Sequence, residues 1–510
     1  MLKFKKIIAL LMAALLALCA IGAVAEETAE AQTTAETEGM PGQQSASDQP
    51  PEMPEGGMDG ERPEPPQGGM GQPPKMPDGQ APGQPPEMPD GQAPGQPPEM
   101  PDGQAPGQPP EMPEGGMPGG MGGGIGGSAP TEYAAAATLT ADSDGESFAS
   151  ETADESALLV SGDSVTVTGA TVEKTGDSDG ESADFYGINA AVLAVDGATL
   201  TLDGATVTTG GTHANGVFSY GTGTTVNVTD TTITTTGDNS GGLMTTGGGT
   251  MIAEDCTVST AGRSSAAIRS DRGGGTVNVT GGSYATGGIG SPAIYSTADI
   301  TVTGATLSAA NSEAVVIEGG NSITLNDVDI TGCDATLNGQ SLVKTNALIY
   351  QSMSGDAAEG NSTFTMAGGS MTAETGCMFH VTNVTTTINL SGVRFTYAED
   401  SDVFLSATAD SWGNAGSNGG HATLNLAVQE IEGDLIADES SSLALNLTEG
   451  SSYTGAVNPD GAAGSVSVTI DETSSWTLTA DSWVDSLDAA EGSVNLNGYT
   501  LTVNGEVWNG

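Results

Sequence analysis

Two arginines and an aspartate form the most distinctive candidate for chemistry in this 510-residue chain. Basic side chains are scarce, with 11 lysines and arginines against 65 aspartates and glutamates. Even so, Arg269, Asp271 and Arg272 lie close together. Arginine beside a carboxylate supplies directional, charge-assisted hydrogen bonds. The group therefore indicates a ligand-binding groove, either for a glycan or for a peptide.

Aromatic and apolar residues at matching positions of neighbouring segments extend this group. Because side chains alternate along a strand, Ile268 would point inward and Arg269 outward. Leu193, Val316 and Tyr350 align in the same outward column. Four further residues of the two outward columns complete the candidate site: Phe218, Tyr220, Met244 and Tyr295. We expect an exposed stripe on which aromatic faces pack against sugar rings. The alternative is a covered face, in which Arg269 pairs with a carboxylate for structural reasons only.

A duplicated acidic string is a second candidate site. Residues 142–147, with the sequence DSDGES, recur as residues 177–182. Alternate carboxylates followed by a glycine turn occur in calcium-binding loops. The candidate calcium ligands are Asp142, Asp144, Asp177 and Asp179. The other ligands of a full loop are missing from both copies, so an acidic, solvated turn is the alternative, and calcium is the only cofactor that the sequence suggests.

Catalytic motifs do not stand out. The three histidines, His213, His380 and His421, are far apart in the sequence. There is no zinc-ligand spacing or P-loop. No catalytic residue is predicted, although His421 follows a Gly/Asn-rich loop that could contact a ligand.

A repeat must position all of these side chains. Its clearest copies differ in their starts by 26, 25, 26, 23 and 23 residues. These starts are Leu200, Val226, Met251, Val277, Ile300 and Ile323. Each period contains three short runs of alternating apolar residues, separated by small-residue turns. A period in this range is typical of a solenoid. The sequence predicts an all-β solenoid with three short strands per coil and parallel pairing between coils.

This pattern resembles the right-handed parallel β-helix proteins, which include pectin-lyase-like folds, adhesins and autotransporter passengers. The resemblance covers roughly residues 140–430. It implies a non-catalytic, adhesin-like protein that binds a polysaccharide or a cell-surface glycan. Because the same fold also supports lyases, hydrolases and inert stalks, these classes stay open as alternatives.

Four regions are predicted along the chain. Residues 1–25 have the basic start, the apolar run and the A-x-A site of a signal peptide. Residues 26–130 form a disordered Pro/Gly/Met/Gln-rich linker with a 12-residue repeat. Residues 131–430 form the β-helix, and residues 431–510 form further coils and a cap.

Composition indicates the partners and the compartment. A net charge of −54 disfavours nucleic acid and anionic lipid as partners. No second apolar run is long enough to span a membrane. We expect a monomer that is extracellular, either secreted or associated with the cell wall. Cys256, Cys333 and Cys377 are too few for a disulfide framework, and a single Cys333–Cys377 bridge stays open.

Overall fold

A computed structural model describes residues 129–509. The predicted signal peptide and all but the last two residues of the predicted linker lie outside these residues. The described chain forms a right-handed parallel β-helix, which confirms the predicted fold. Each coil passes through three parallel sheets in turn, and a right-handed crossover is the normal connection between parallel strands.

Sheets 1 and 2 run along most of the solenoid. Sheet 1 has twelve strands: Ala135–Thr138, Ser156–Ser161, Val192–Val195, Val217–Tyr220, Leu243–Thr246, Ile268–Ser270, Ile294–Ser296, Val315–Glu318, Thr345–Tyr350, Cys377–Thr382, Val403–Ala407 and Asp434–Ala437. Sheet 2 has fourteen: Ser143–Asp144, Ser164–Thr168, Thr199–Asp203, Thr225–Thr229, Gly249–Glu254, Gly275–Thr280, Asp299–Thr303, Ser322–Asn326, Asn361–Ala367, Val384–Ser391, Gly420–Ala427, Ser442–Thr448, Ser465–Ile470 and Ser486–Ala489.

The third side of the solenoid is divided between two sheets. Sheet 3 has ten strands: Ser147–Ser150, Thr171–Lys174, Thr206–Thr209, Thr232–Thr235, Thr257–Thr260, Ser283–Thr286, Thr306–Ala309, Asp329–Gly332, Ser370–Ala373 and Arg394–Thr396. Sheet 4 continues this side with Glu430–Glu432, Ser452–Thr454, Ser475–Thr477 and Val494–Asn495. Sheet 5, at the C-terminal end, contains Ser482–Val484, Leu501–Val503 and Glu506–Val507.

The strand register follows the sequence repeat. Val226 pairs with Leu200 in the preceding coil and with Met251 in the following coil. Val277 and Ile300 continue the same column. These residues point inward and join one continuous apolar core. Because each coil contributes its apolar side chains at equivalent places, the coils stack in register and shield one another from water.

Sheet 1 differs from sheets 2 and 3 in its outer face. Strands of sheets 2 and 3 alternate between exposed and buried residues, as in Thr206–Thr209. In Leu243–Thr246 and Val315–Glu318 of sheet 1, every residue is buried. The outer face of sheet 1 is therefore covered by other parts of the chain. One cover is a five-residue helix, α1 (Ser182–Tyr186), which the sequence repeat did not predict.

The C-terminal coils contain a buried tryptophan and a strand that turns back on its neighbour. Trp476 is fully buried, and its indole Nε1 donates to the Gly455 carbonyl at 2.9 Å. Strand Leu501–Val503 pairs antiparallel with Glu506–Val507. This hairpin lies in the region predicted to be a cap, and that role stays a prediction.

Two further properties concern residues 129–509 alone. Within them, no helix has the length and apolar character needed to cross a bilayer. Cys256, Cys333 and Cys377 are free thiols, so the Cys333–Cys377 bridge does not form.

Candidate functional site on the outer face of sheet 1

The strands pair as the predicted outward column requires, except that one residue, Tyr350, belongs to the next column. Phe218 pairs with Leu193 and Met244, and Arg269 pairs with Met244 and Tyr295. Tyr350, however, pairs with Glu318 in the next column, and Leu348 takes the predicted place of Tyr350. Residues after 332 interrupt the repeat, so the sequence alignment placed the strand Thr345–Tyr350 in the wrong register.

The predicted exposure of the stripe is wrong for most of its residues, in both halves. Phe218 and Met244 are fully buried, and Tyr220 is half-buried beside them. Helix α1 covers them: the Tyr186 ring lies edge-on to Tyr220 at 5.5 Å between centroids, and Thr246 Oγ1 donates to the Phe185 carbonyl at 2.6 Å. Outward apolar side chains gain free energy when they are covered, and an aperiodic insertion supplies the cover. Phe218 and Met244 therefore lie in an apolar cluster beside the helix, with Gly187 at its end against Phe218, and they are closed to a ligand.

Arg269 and Asp271 form a largely buried ion pair. The Arg269 Nη2 and Nε atoms lie 2.7 and 3.2 Å from Asp271 Oδ2, and Nη1 donates to the Ser264 carbonyl at 3.1 Å. The two side chains are 15% and 6% exposed. Burial raises the pKa of Asp271 to about 6, against the opposing effect of Arg269. The guanidinium also lies 5.8 Å from the centre of the Tyr295 ring, so the pair is fixed in place on one side of that ring.

Arg272 has a different partner. Its Nη2 and Nε atoms donate to Asp356 Oδ1 at 2.6 and 2.9 Å, and its guanidinium lies 4.0 Å from the centre of the Phe185 ring. Arg272 thus ties residues 351–360 to helix α1. The structure places Arg272 among the covering segments, whereas Arg269 and Tyr295 lie together farther along the sheet.

A histidine that the sequence left isolated lies beside the same ion pair. His213 Nδ1 is 2.9 Å from Asp184 Oδ2, and its Nε2 is 3.3 Å from Asn239 Nδ2. The hydrogen bond with Asp184 raises the pKa of His213, while burial and Arg269 lower it. The structure therefore gathers an arginine, a histidine and two carboxylate groups on this part of the face.

Two tyrosines share one buried carboxylate beyond the ion pair. The Tyr295 hydroxyl donates to Glu318 Oε2, and the Tyr350 hydroxyl donates to the same oxygen at 3.1 Å. Ser352 Oγ donates to the other carboxylate oxygen of Glu318. Burial raises the pKa of both tyrosines far above the usual range, so they remain neutral donors. This network fixes the orientation of both phenol rings.

These rings border a cavity of about 180 Å³, which we call the Trp412 cavity. The Trp412 ring packs on Tyr350 with 4.4 Å between centroids. The polar and aromatic residues of the lining are Ser264, Arg269, Tyr295, Glu313, Asn338, Gln340, Tyr350 and Trp412. Aromatic walls with a few fixed polar groups are typical of a small-molecule site.

No family model matches this chain, and neither a curated protein nor a solved structure is significantly similar to it. The Trp412 cavity is therefore characterised by its own geometry. Arg269 and Tyr295 are the two predicted site residues that line it. Trp412, Asn338 and Gln340 were missed, because they belong to loops outside the repeat.

One aspartate joins two of the loops that border the Trp412 cavity. Asp410 accepts hydrogen bonds from Ser341 Oγ at 2.9 Å and from the Leu342 amide at 3.1 Å. Its Oδ2 atom is also 3.2 Å from His380 Nε2, and the side chains of His380 and Asp410 are completely buried. Burial alone would raise the pKa of Asp410, but its hydrogen bonds have the larger effect and lower the pKa to about 2. His380 is closed to substrate, and its interaction with Asp410 is structural.

The candidate calcium ligands lie on separate coils. Asp142 Oδ1 accepts the Thr166 amide at 2.8 Å, and Asp177 Oδ1 accepts the Thr212 amide at 2.8 Å. Asp144 is close to Asp142, and Asp179 follows Asp177 in its loop. Within the described chain, no group of three or more His, Cys, Asp or Glu side chains is arranged to hold a metal ion. Calcium binding at either string stays a prediction.

Proposed function

We propose that this chain is a non-catalytic, adhesin-like protein that binds a glycan unit in the Trp412 cavity. The main support is the combination of three rings, Tyr295, Tyr350 and Trp412, with fixed polar groups in one recess. Ring faces pack on the C–H faces of a sugar, while amides, carboxylates and arginine form hydrogen bonds with its hydroxyls. A volume of about 180 Å³ is below the roughly 300–1,000 Å³ of common ligand pockets. The cavity therefore suits a single sugar ring.

The hydrogen bonds of Arg269 further restrict the kind of sugar that the cavity can bind. Asp271 and the Ser264 carbonyl already engage three of its five N–H groups, one each on Nε, Nη1 and Nη2. Glu313, which is 4% exposed, adds a carboxyl group to the lining. Since the guanidinium is paired and the chain has a net charge of −54, an anionic sugar gains little in this cavity. We propose a neutral sugar unit.

The proposal includes an extracellular location for the protein. A signal-type segment at residues 1–25 and a Pro-rich stretch at residues 26–130 support export and display of a monomer away from a surface. The resemblance to β-helix adhesins points the same way. Mass spectrometry of the exported protein tests this point, and we expect an N-terminus at Glu26.

A glycan array combined with a reducing-end assay tests the binding function. We expect retention of neutral glycans without release of new ends. Gln340→Ala, at an exposed lining position, should weaken retention without changing the melting temperature, and Trp412→Ala should weaken it most. Tyr499→Ala is the matched control, because it removes an exposed aromatic ring on another part of the solenoid. New reducing or unsaturated ends would show an enzyme, and absence of retention would favour an inert stalk.

A further inference from the structure

A second cavity lies beside the Trp412 cavity and has its own polar lining. We call it the His421 cavity; its volume is about 360 Å³. Six of its lining residues have side chains that can form hydrogen bonds with a ligand: Gln351, Ser352, Glu359, Asn414, Ser417 and His421. They provide amide, hydroxyl, carboxylate and imidazole groups. Lysine and arginine are absent from its lining in the described chain. This mixture suits a neutral molecule with many hydroxyl groups.

Two polar atoms of residues that line the His421 cavity lack protein partners in the described residues. Gln351 is 9% exposed, and its Oε1 atom has no hydrogen-bond partner. His421 Nδ1 lies 2.9 Å from Ser442 Oγ, while Nε2 has no protein partner within residues 129–509. A buried acceptor without a partner costs roughly 1–3 kcal/mol. Gln351 Oε1 is closed to solvent, whereas His421 Nε2 is available to a hydroxyl group of a ligand in the cavity.

The two cavities share their dividing wall. Tyr350 lines the Trp412 cavity, and the next residue, Gln351, lines the His421 cavity. In the same way, Trp412 lines the first cavity and Gly413 lines the second. The two cavities are therefore lined by neighbouring residues of the same two segments, which places them side by side.

Hydrogen bonds hold the wall in a fixed conformation. Asn418 Nδ2 donates to the Asp410 and Trp412 carbonyls, each at 2.8 Å. Asn383 Nδ2 donates to the Gln351 carbonyl at 2.7 Å. Gly413 has a φ of 79°, and a Cβ atom there would lie 2.3 Å from Asn383 Oδ1. The chain can pass so close to Asn383 only with glycine at this position. Both cavities are therefore built into one rigid unit.

We infer that the two cavities are neighbouring subsites for one neutral oligosaccharide. The Trp412 cavity packs one ring against its aromatic walls, and the His421 cavity forms hydrogen bonds with the next unit of the same chain. This inference rests on the proposed function, since it extends the glycan site by a second subsite. It identifies the ligand as a chain of at least two units.

Titration calorimetry with sugars of increasing length tests this inference. The probes are the neutral monosaccharides glucose, mannose and galactose and their linear homo-oligomers of two to four units. For at least one series, we expect the affinity of the full-length protein to rise about tenfold or more from one unit to the longer members. His421→Ala and Asn414→Ala should abolish this rise while leaving monosaccharide binding unchanged. Thr423→Ala, on the same strand as His421, is the matched control and should keep the rise.

The outcomes separate the second subsite from the proposed function. If the unmodified protein binds one unit and the longer chains equally well, the His421 subsite is wrong and the single-ring site remains. If His421→Ala and Asn414→Ala retain the full rise, the second unit binds elsewhere and the inference also fails. If no sugar of any series binds, the proposed function itself is wrong. The melting temperature of each variant shows whether the fold is intact.

Discussion

The outer face of sheet 1 and the outer faces of sheets 2 and 3 come from the same repeat but have different environments. On sheet 3, Thr206, Thr232 and Thr257 follow one another in register and are exposed. On sheet 1, Phe218 and Met244 are in register and fully buried. Polar, β-branched side chains need no cover, whereas apolar ones do. The covered face is also where the insertions meet and where the Trp412 cavity lies, while the His421 cavity is lined partly by strands of sheet 2.

This difference shows how a solenoid acquires a site. Regular coils produce flat, repetitive faces, and recesses form where loops leave the repeat and pack back on one face. Trp412 and Gln340 come from such loops and lie against strands of sheet 1. The irregular segments therefore supply the specific chemistry, and the repeat supplies the platform.

Removing a large side chain from each kind of outer face is the strongest test of the comparison. Phe218→Ala should lower the free energy of unfolding by about 3–5 kcal/mol, because it leaves a cavity under helix α1. Ile252→Ala, on the outer face of sheet 2 where Ile252 is 41% exposed, should change it by about 0.5 kcal/mol or less. Urea denaturation measures both. Similar effects would show that helix α1 does not cover Phe218.

Ion pairs on the two kinds of face provide a second test. Asp271→Ala should cost about 3 kcal/mol, because Arg269 stays largely buried without its partner. Asp329→Ala removes the partner of Arg394 on the outer face of sheet 3, where the two side chains are 60% and 72% exposed. That change should cost about 0–1 kcal/mol. Equal losses in thermal unfolding would contradict the difference in burial.

Two aspartates of the covering loops should make stability depend on pH in opposite directions. The pKa of Asp410 is about 2 in the folded chain, below its ordinary value, so its contribution is present above about pH 4 and is lost toward pH 2. Burial and the neighbouring Glu313 raise the pKa of Asp334 to about 7, so stability increases as the pH falls from 7 to 4.

Thermal melts between pH 2 and pH 8 measure these contributions against the background of the other carboxylates. Asp410→Asn should remove a decrease in stability below pH 4, and Asp334→Asn should remove an increase between pH 7 and pH 4. Parallel pH curves for Asp334→Asn and the unmodified protein would show that the Asp334 carboxyl is not buried as described.

A last test concerns a row of amides on sheet 2. Asn425 Nδ2 donates to Asn389 Oδ1 at 2.9 Å, and Asn425 Oδ1 accepts from Asn446 Nδ2 at 2.8 Å. Asn425→Ala removes both half-buried hydrogen bonds and should cost about 1 kcal/mol. Urea midpoints measure this change, with Thr423→Ala as the neighbouring control. A loss as large as that of Phe218→Ala would show that this outer face is also a packed one.

The fold could be predicted because its information is local and repeated. Each coil places residues such as Val226 and Met251 at the same inward position, so alignment of the repeats gives the strand register. The column of Phe218 and Arg269 followed from the same alignment. The burial of that column could not be read from one coil, because it depends on helix α1, a segment without a repeat.

The site was predictable only in part, for the same physical reason. Arg269 and Tyr295 lie on strands, and their neighbours follow from the register. Trp412 and Gln340 lie on loops whose position depends on contacts distant in sequence, such as that of Asp410 with Ser341. One signal was available: apolar outward residues such as Phe218 in an aromatic-poor chain indicate that something covers them.

The contact between Asp410 and Ser341 also determines when the site can form as the chain is made. Synthesis proceeds from the N-terminus, and earlier parts of a chain can fold while later parts are still absent. The coils that hold Arg269 and Tyr295 are complete well before Asp410 and Trp412 emerge. At about 5–20 residues per second, the interval between Tyr350 and Trp412 lasts several seconds. During that time Tyr295 and Tyr350 are present without Trp412. Binding is therefore one of the last properties that the growing chain acquires.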